Sequence, residues 1–432
     1  MTWGALRRWY PMHFHCQEST LTGRVRIPGS KSHTIRGVLL GSLADGESTL
    51  LDPLASEDTR AAVGVYRQLG AEIDQQVGVW RIRGIGHQPR LPDGELDVLN
   101  SGTTMSVSLG TCSLLPEGEA ILTGDAQIQR RPAAPLVQAL NDLGADISSD
   151  TGDFPPFRVR GPLRGGHTSI ECSNSQYLTS LLLACPFAPG DSDIDVPLLY
   201  ERPYVGMTLD WLDGLGITVE RRGWEHFHVP GGQSLQPFTR RIAADFSSAT
   251  FFLAAGALGN NSIACEGLDM TDSQSDKAVV DFLRQMGANV DVSDEAIRVS
   301  AAPLTGIDID MNDCPDALPM MAVVGCFARG TTRLLNVPQA RIKETDRIAV
   351  MACELRKLGA DIEELEDGLV IRESSLRGAE VNGHHDHRVV MSLAIAGSLI
   401  GNTRIATAEA AAITFPTFST LYSSLGGNIE GR

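Results

Sequence analysis

One short phrase recurs six times along this chain. It reads Leu69-Gly70-Ala71-Glu72-Ile73, then Leu143-Gly144-Ala145-Asp146-Ile147 and Leu215-Gly216-Ile217-Thr218-Val219. It returns as Met286-Gly287-Ala288-Asn289-Val290, Leu358-Gly359-Ala360-Asp361-Ile362 and Leu425-Gly426-Gly427-Asn428-Ile429. Successive copies start 74, 72, 71, 72 and 67 residues apart, so six similar units account for the 432 residues. An amphipathic stretch such as Asp276 to Gln285 precedes each phrase, which predicts a helix capped by the glycine in the left-handed conformation. Alternating residues follow, as in Ala288-Asn289-Val290-Asp291-Val292, and predict a strand. Further β-rich stretches lie at Gly23 to Ile27 and Thr331 to Leu335. The chain is therefore an α/β repeat, with a period longer than that of common solenoids. Six units suit two domains of three, and the Pro- and Gly-bearing segment Pro230 to Pro237 puts the midpoint near Arg240 to Asp245.

Composition narrows the function. With 42% hydrophobic and 21% charged residues the chain has a soluble globular balance. A net charge of −17 disfavours nucleic acid and anionic membranes. An anionic substrate would need a local basic pocket, so the placement of Lys and Arg carries the information. The eight cysteines, Cys16, Cys112, Cys172, Cys185, Cys265, Cys314, Cys326 and Cys353, form no C-x-x-C pair. They read as buried, reduced thiols of a cytoplasmic protein. No apolar run reaches the ~20 residues of a membrane span. Arg7 and Arg8 lack the apolar segment of a signal peptide after them, and Met12 is a possible start. Ile429-Glu430-Gly431-Arg432 resembles a protease-site remnant, yet it overlaps the sixth repeat.

Seven segments can carry chemistry. Pro28-Gly29-Ser30-Lys31-Ser32-His33-Thr34-Ile35-Arg36 runs into an expected helix over Gly37 to Ala44; backbone N–H groups, hydroxyls and two cations there suit an anion or, equally, a plain helix cap. The spacing is not that of a P-loop. Asn100-Ser101-Gly102-Thr103 has the same character. Arg130-Arg131-Pro132 could clamp a phosphate or carboxylate. Ser173-Asn174-Ser175-Gln176-Tyr177 marks another helix start, and Asn312-Asp313-Cys314-Pro315-Asp316-Ala317 is an acidic loop before an apolar helix. Arg341-Ile342-Lys343-Glu344-Thr345-Asp346-Arg347 is expected to open a helix with Lys343 and Arg347 on one face, which favours a bridging anion. His384-His385-Asp386-His387-Arg388 invites a zinc reading, but its spacing is too tight for tetrahedral ligation, so no metal is expected.

Together and in this order, the K-S-x-x-x-R, N-x-G-T, R-P, S-Q, P-D-A, K-E-T-D-R and D-H-R segments resemble the 5-enolpyruvylshikimate-3-phosphate synthase family, over about Leu21 to Leu425. The resemblance implies a two-domain inside-out α/β barrel of six βαβαββ-type repeats, three per domain, with the active site in the cleft between domains. The chain then crosses twice, giving residues 1–29 plus 243–432 as one domain and 30–242 as the other. It also implies transfer of the enolpyruvyl group of phosphoenolpyruvate to the 5-hydroxyl of shikimate 3-phosphate, without a cofactor, by a cytoplasmic monomer.

The same resemblance implies the site. Lys31, Ser32, Arg36, Asn174, Ser175, Gln176, Tyr204, Asp316, Gln339 and Lys343 would hold shikimate 3-phosphate, with Ser175 and Gln176 near its phosphate and ring. Lys31, Gly102, Arg131, Gln176, Arg347 and Arg388 would surround phosphoenolpyruvate, the last two taking its carboxylate. Asp316 is the expected base, and Glu344 with Lys31 the expected acid. Gly102 implies glyphosate sensitivity.

Five positions depart from the family pattern. Ser106 replaces an arginine, Ile413 a lysine before Thr414-Phe415-Pro416, Glu201 a serine that contacts phosphate, Asn174 a serine, and Gln339 an asparagine or histidine. A diverged paralogue with weak or altered activity is therefore the alternative reading. The sister transferase acting on UDP-N-acetylglucosamine fits less well, since Ile121 to Pro132 lacks its cysteine and Lys31-Ser32 stands for its Lys-Asn. A non-enzymatic clamp-like ring would need a basic helical lining, which the loop-borne cations do not provide.

Overall fold

The computed structural model describes residues 12–431, so the sequence readings at Arg7, Arg8 and Arg432 lie outside the described residues. All six repeat glycines are left-handed: Gly70, Gly144, Gly216, Gly287, Gly359 and Gly426 have φ between 75° and 109°. At each copy the next N–H reaches back to the last helical turn, as in Ala71 N to Tyr66 O and Ala288 N to Leu283 O. This is the hydrogen-bond pattern of a Schellman cap, and it turns the chain from helix into strand. The outer helices that end there are Glu57–Gln68, Ala134–Asp142, Arg202–Gly214, Ala278–Met286, Arg347–Lys357 and Phe418–Ser424.

Six further helices lie deeper: α1 (Lys31–Leu43), α2 (Gly102–Cys112), α3 (Ser175–Ala184), α4 (Phe246–Gly256), α5 (Leu318–Phe327) and α6 (His387–Ile400). Beyond their first two turns their sequences are mostly apolar or small all round, which is the signature of a buried helix. Leu-Pro-Met-Met-Ala-Val-Val-Gly-Cys in α5 is buried at every one of those positions. Small residues permit close approach: a Cβ on Gly110 of α2 would lie 2.7 Å from Ser180 Oγ and 2.9 Å from Ser180 O of α3.

Each unit follows strand, deep helix, strand, outer helix and two strands. In the second unit these are Leu96–Asp97, α2, Ala120–Thr123, Ala134–Asp142, Asp146–Ser148 and Phe157–Arg160. The strands form six four-stranded sheets, each pairing its first two strands in parallel and the rest antiparallel, as the second unit shows.

Three strands leave the simple repeat. Thr22–Arg26 precedes α1 in the chain but pairs in parallel with Ser262–Glu266. Conversely, Thr239–Arg241 precedes α4 but pairs in parallel with Glu47–Leu51. Phe14–Gln17 lies between Thr403–Ala406 and Asn428–Gly431, completing the sixth sheet from the start of the chain. Two hydrophobic cores result. One joins Phe14, Leu21, Val25 and Ile27 to residues from Ala244 to Leu425, and the other runs from Ile35 to Ile242. Each fully buried large apolar side chain contributes ~1.5–3 kcal/mol.

Seven of the cysteines are buried, but Cys353 is exposed on the outer helix Arg347–Lys357. The expectation of uniformly buried thiols therefore fails at that position, which lies on the helix face turned from the core. Among the described residues no helix is long and apolar enough to cross a membrane.

Candidate active site

The deep helices start at the motifs. Ser30 caps α1, accepting from His33 N, so Lys31, Ser32 and Arg36 lie within the first two turns. The helix thus begins six residues before the expected Gly37. Ser101 caps α2, Asn174 caps α3 and Asp386 caps α6, each through its own side chain. Short polar caps recur because these helices start at the cleft, where N–H groups lack intrahelical partners.

A cavity of about 1640 Å³ runs between the two cores. One side brings Ser56, Asn100, Gln127 and Arg131, and the other brings Lys343, Glu344, His385 and Ile413. Ile413 faces this cavity as an apolar side chain. A smaller recess beside it gathers Lys31, Ser32, Tyr204, Asp276, Asp316 and Arg388.

Arg347 is the hub, with 1% of its side chain exposed. Its Nη1 meets Asp316 Oδ1 at 2.7 Å, Nη2 meets Glu344 Oε2 at 2.5 Å, and Nε meets Asp386 Oδ2 at 2.8 Å. Arg388 Nη2 takes the other Asp316 oxygen at 2.8 Å. Burial alone would raise the Asp316 carboxyl, but Arg388, Arg347 and Lys343 outweigh it and hold the group below the ordinary carboxylate range. Glu344 is treated alike: burial opposes its ionisation, and Arg131 and Arg347 hold it well below that range. Arg131 Nη2 lies 3.1 Å from Glu344 Oε1.

Lys31 turns to Asp58, Nζ to Oδ2 at 3.0 Å. Burial would lower its ammonium, but Asp58, Glu344 and Asp316 raise it overall. Burial lowers Arg36 to about 10. Its three hydrogen bonds all go to neutral acceptors: Thr208 Oγ1, Ser32 O and Tyr204 O. Tyr204 donates to Asp276 Oδ2 at 3.0 Å, with Asp316 Oδ2 at 3.4 Å. Asp276 is pushed up to about 6, first by burial and then by the charge on Asp316.

The charged segment differs from its expected form. Lys343 and Arg347 do not share a helical face, because Asp346 caps the helix by accepting from Ala349 N and the helix starts only at Arg347. Lys343 stays in the turn before it and pairs with Glu201. Arg131 is extended, and the helix after Pro132 begins at Ala134.

Gln176 Nε2 donates to Thr103 Oγ1 at 3.1 Å, and its Oε1 accepts from Ser106 Oγ at 3.3 Å. This ties α3 to Thr103, next to Gly102, and to Ser106. Gln339 is buried and donates to Asn312 O at 2.9 Å, so its amide serves the loop before Asp316.

The histidine-rich run splits. His384 Nε2 lies 2.8 Å from Glu354 Oε1, Asp386 serves Arg347, and His385 is mostly exposed. Among the described residues no group of three His, Cys, Asp or Glu is placed to hold a metal ion.

Sequence reasoning missed four residues of this constellation. Asp58 partners Lys31, Asp276 adds a third acid, Asp386 holds Arg347, and His387 sits buried with neither ring nitrogen hydrogen-bonded. Burial lowers His387 to about 3, so it is neutral. Asp386 and His387 were visible beside Arg388 in the seventh motif, whereas Asp58 and Asp276 carry no local signal.

Residues 16–421 match the family model for EPSP synthase, 3-phosphoshikimate 1-carboxyvinyltransferase. A 3-phosphoshikimate 1-carboxyvinyltransferase of Acetivibrio thermocellus is 50% identical over 96% of this chain and 98% of its own. One from Methanocaldococcus jannaschii is 41% identical over 95% of this chain and 97% of its own. A solved EPSP synthase from Acinetobacter baumannii superposes with a TM-score of 0.82 at 28% identity, covering 98% of this chain and all of that one.

Proposed function

The chain belongs to the EPSP synthase family, and from that premise we propose how its cleft works. It transfers the enolpyruvyl group of phosphoenolpyruvate to the 5-hydroxyl of shikimate 3-phosphate and releases phosphate, a step of the shikimate pathway to aromatic amino acids. One observation carries the reading. In a chain of net charge −17, Lys31, Arg131, Lys343, Arg347 and Arg388 converge on one cleft around Asp316 and Glu344. Two anionic substrates require such a cluster.

The domains divide as 1–29 with 243–432, and 30–242; the two cores and the exchanged strands support this division. The enzyme acts as a monomer in this reading. The absence of a Cys–Cys pair among its eight free thiols suits the cytoplasm.

The acceptor hydroxyl attacks C2 of the enol as C3 gains a proton. The resulting tetrahedral ketal phosphate then gives up a proton from its C3 methyl and loses phosphate from C2, which restores the double bond. Asp316 takes the hydroxyl proton. It is a weak base while Arg347 and Arg388 hold it, so the incoming carboxylate of phosphoenolpyruvate, drawn to the same two guanidiniums, frees it for the task. Glu344 is anionic between Arg131 and Arg347, and the Lys31 ammonium is the protonated group on hand for C3, with Glu344 able to relay. Closure of the two domains excludes water and completes the set.

The test is phosphate release from purified protein with both substrates, each omitted in turn. Release that requires both is expected. No release, with shikimate 3-phosphate still bound by calorimetry, would identify a paralogue that kept the fold and one site.

A further inference from the structure

The acceptor end of the cleft already holds an anion. Glu201 stands in a left-handed turn, φ 57°, immediately before the outer helix Arg202–Gly214, and only 2% of it is exposed. Its Oε2 accepts from Ser175 Oγ at 2.6 Å and from Ser175 N at 3.3 Å. Its Oε1 pairs with Lys343 Nζ. One carboxylate thus receives a hydroxyl, a backbone N–H at the first position of α3 and an ammonium. That is the donor set that suits the oxygens of a phosphate monoester.

We infer that Glu201 is a specificity-determining residue whose carboxylate sits where the acceptor's phosphate binds, so that the phosphate must displace it. The inference rests on the proposed reading that Ser175 and Lys343 serve the phosphate of shikimate 3-phosphate. A carboxylate and a phosphate dianion cannot share these donors in a buried site without strong repulsion. Part of the phosphate's binding energy is spent on moving Glu201 and breaking its pair with Lys343. The advantage of the phosphorylated acceptor over the unphosphorylated one is reduced by the same amount. The side chain also bridges the two cores, Glu201 lying in the stretch from Ile35 to Ile242 and Lys343 beyond Ala244, so the contact that the substrate replaces also links the two halves of the cleft.

The experiment compares wild type with Glu201→Ser and Glu201→Gln. KM is measured for shikimate 3-phosphate and for phosphoenolpyruvate, the Kd of shikimate 3-phosphate by calorimetry, and turnover with shikimate as alternative acceptor. Both variants are expected to lower the KM and Kd for shikimate 3-phosphate about tenfold, while the KM for phosphoenolpyruvate moves far less. The preference for shikimate 3-phosphate over shikimate should rise in step. If the serine variant does not fold, the glutamine variant decides, because it keeps the shape and removes only the charge. Turnover by wild type with no tightening in either folded variant overturns the inference alone, and leaves Glu201 as a holder of Ser175 and Lys343. Wild type that neither binds shikimate 3-phosphate nor releases phosphate with it overturns the parent reading and the inference together.

Discussion

Arg347 and Asp386 form an ion pair sealed inside the protein: Nε to Oδ2 is 2.8 Å, Nη2 to Oδ1 is 3.3 Å, and the side chains are 1% and 0% exposed. Asp386 also caps α6 by accepting from Arg388 N at 2.9 Å. It therefore aims one arginine with its side chain and anchors the helix that bears the other. Burial disfavours the Asp386 anion, and Arg347 more than compensates, holding the carboxyl below its ordinary range.

Replacing Arg347 with methionine leaves Asp386 buried without its cation and takes one guanidinium each from Asp316 and Glu344, which keep Arg388 and Arg131. Breaking a buried pair from one side costs about 3–5 kcal/mol. Urea unfolding should show a loss of that order, larger than for Arg347→Lys, which keeps a charge but not the three-way fork. An unchanged unfolding midpoint for the methionine variant would remove Arg347 as the hub.

Asp276 makes stability depend on pH. Its folded carboxyl lies at about 6 against 3.8 for an unperturbed aspartate. The folded protein therefore keeps a proton that the unfolded chain releases between those values. The contribution is fully present below about pH 4 and is lost as pH rises through about 6, a change of order 3 kcal/mol. Depressed carboxyls at Asp316, Glu344 and Asp386 act in the opposite sense, losing stability as pH falls. The difference between wild type and Asp276→Asn isolates the first effect. Melting curves across pH 4 to 7 should show the asparagine variant gaining on wild type as pH rises, and parallel curves would refute the shift.

Gly102 leaves room for Arg131. A Cβ there would stand 2.5 Å from Arg131 Nη1 and 3.7 Å from Gln176 Oε1. The arginine end must shift, away from its place 3.1 Å from Glu344. Gly102→Ala should raise the KM for phosphoenolpyruvate several-fold, with little change in the KM for shikimate 3-phosphate. A larger effect on the acceptor would place Arg131 elsewhere in the reaction.

Gly287 tests the repeat itself. At φ 107°, with Pro303 O 3.2 Å from an added Cβ, alanine is strained there. Gly287→Ala should cost about 1–3 kcal/mol of stability and leave kcat intact, because the cap lies at the end of an outer helix remote from the cleft. Equal losses of activity and stability would show that the caps also set the cleft.

Much of the site was legible because its residues sit beside helix starts. Lys31, Gly102, Ser175 and Arg388 each lie within two residues of a capping side chain, and such caps leave a mark in a short window of sequence. The expected shared face of Lys343 and Arg347 failed for a related reason: a capping aspartate in the same window, Asp346, delays the helix. Asp276 escaped notice because its burial against Tyr204 and Asp316 joins residues 72 and 40 positions away.

Sequence alone determined the six-unit α/β repeat and its glycine caps, since a left-handed residue and a helix end are decided by neighbours a few positions apart. It also determined which cations flank the cleft, through motifs set at or just before helix starts, deep helices for Lys31 and Arg388 and outer helices for Arg131, Lys343 and Arg347. Tertiary structure alone decided which strands change sheets, so that Thr22–Arg26 meets Ser262–Glu266. It decided, too, that Lys343 faces Glu201 and that Arg347 holds three acids. Ion pairing and proton affinity depend on distance and on removal from water, and both are established only when segments far apart in the chain pack against each other.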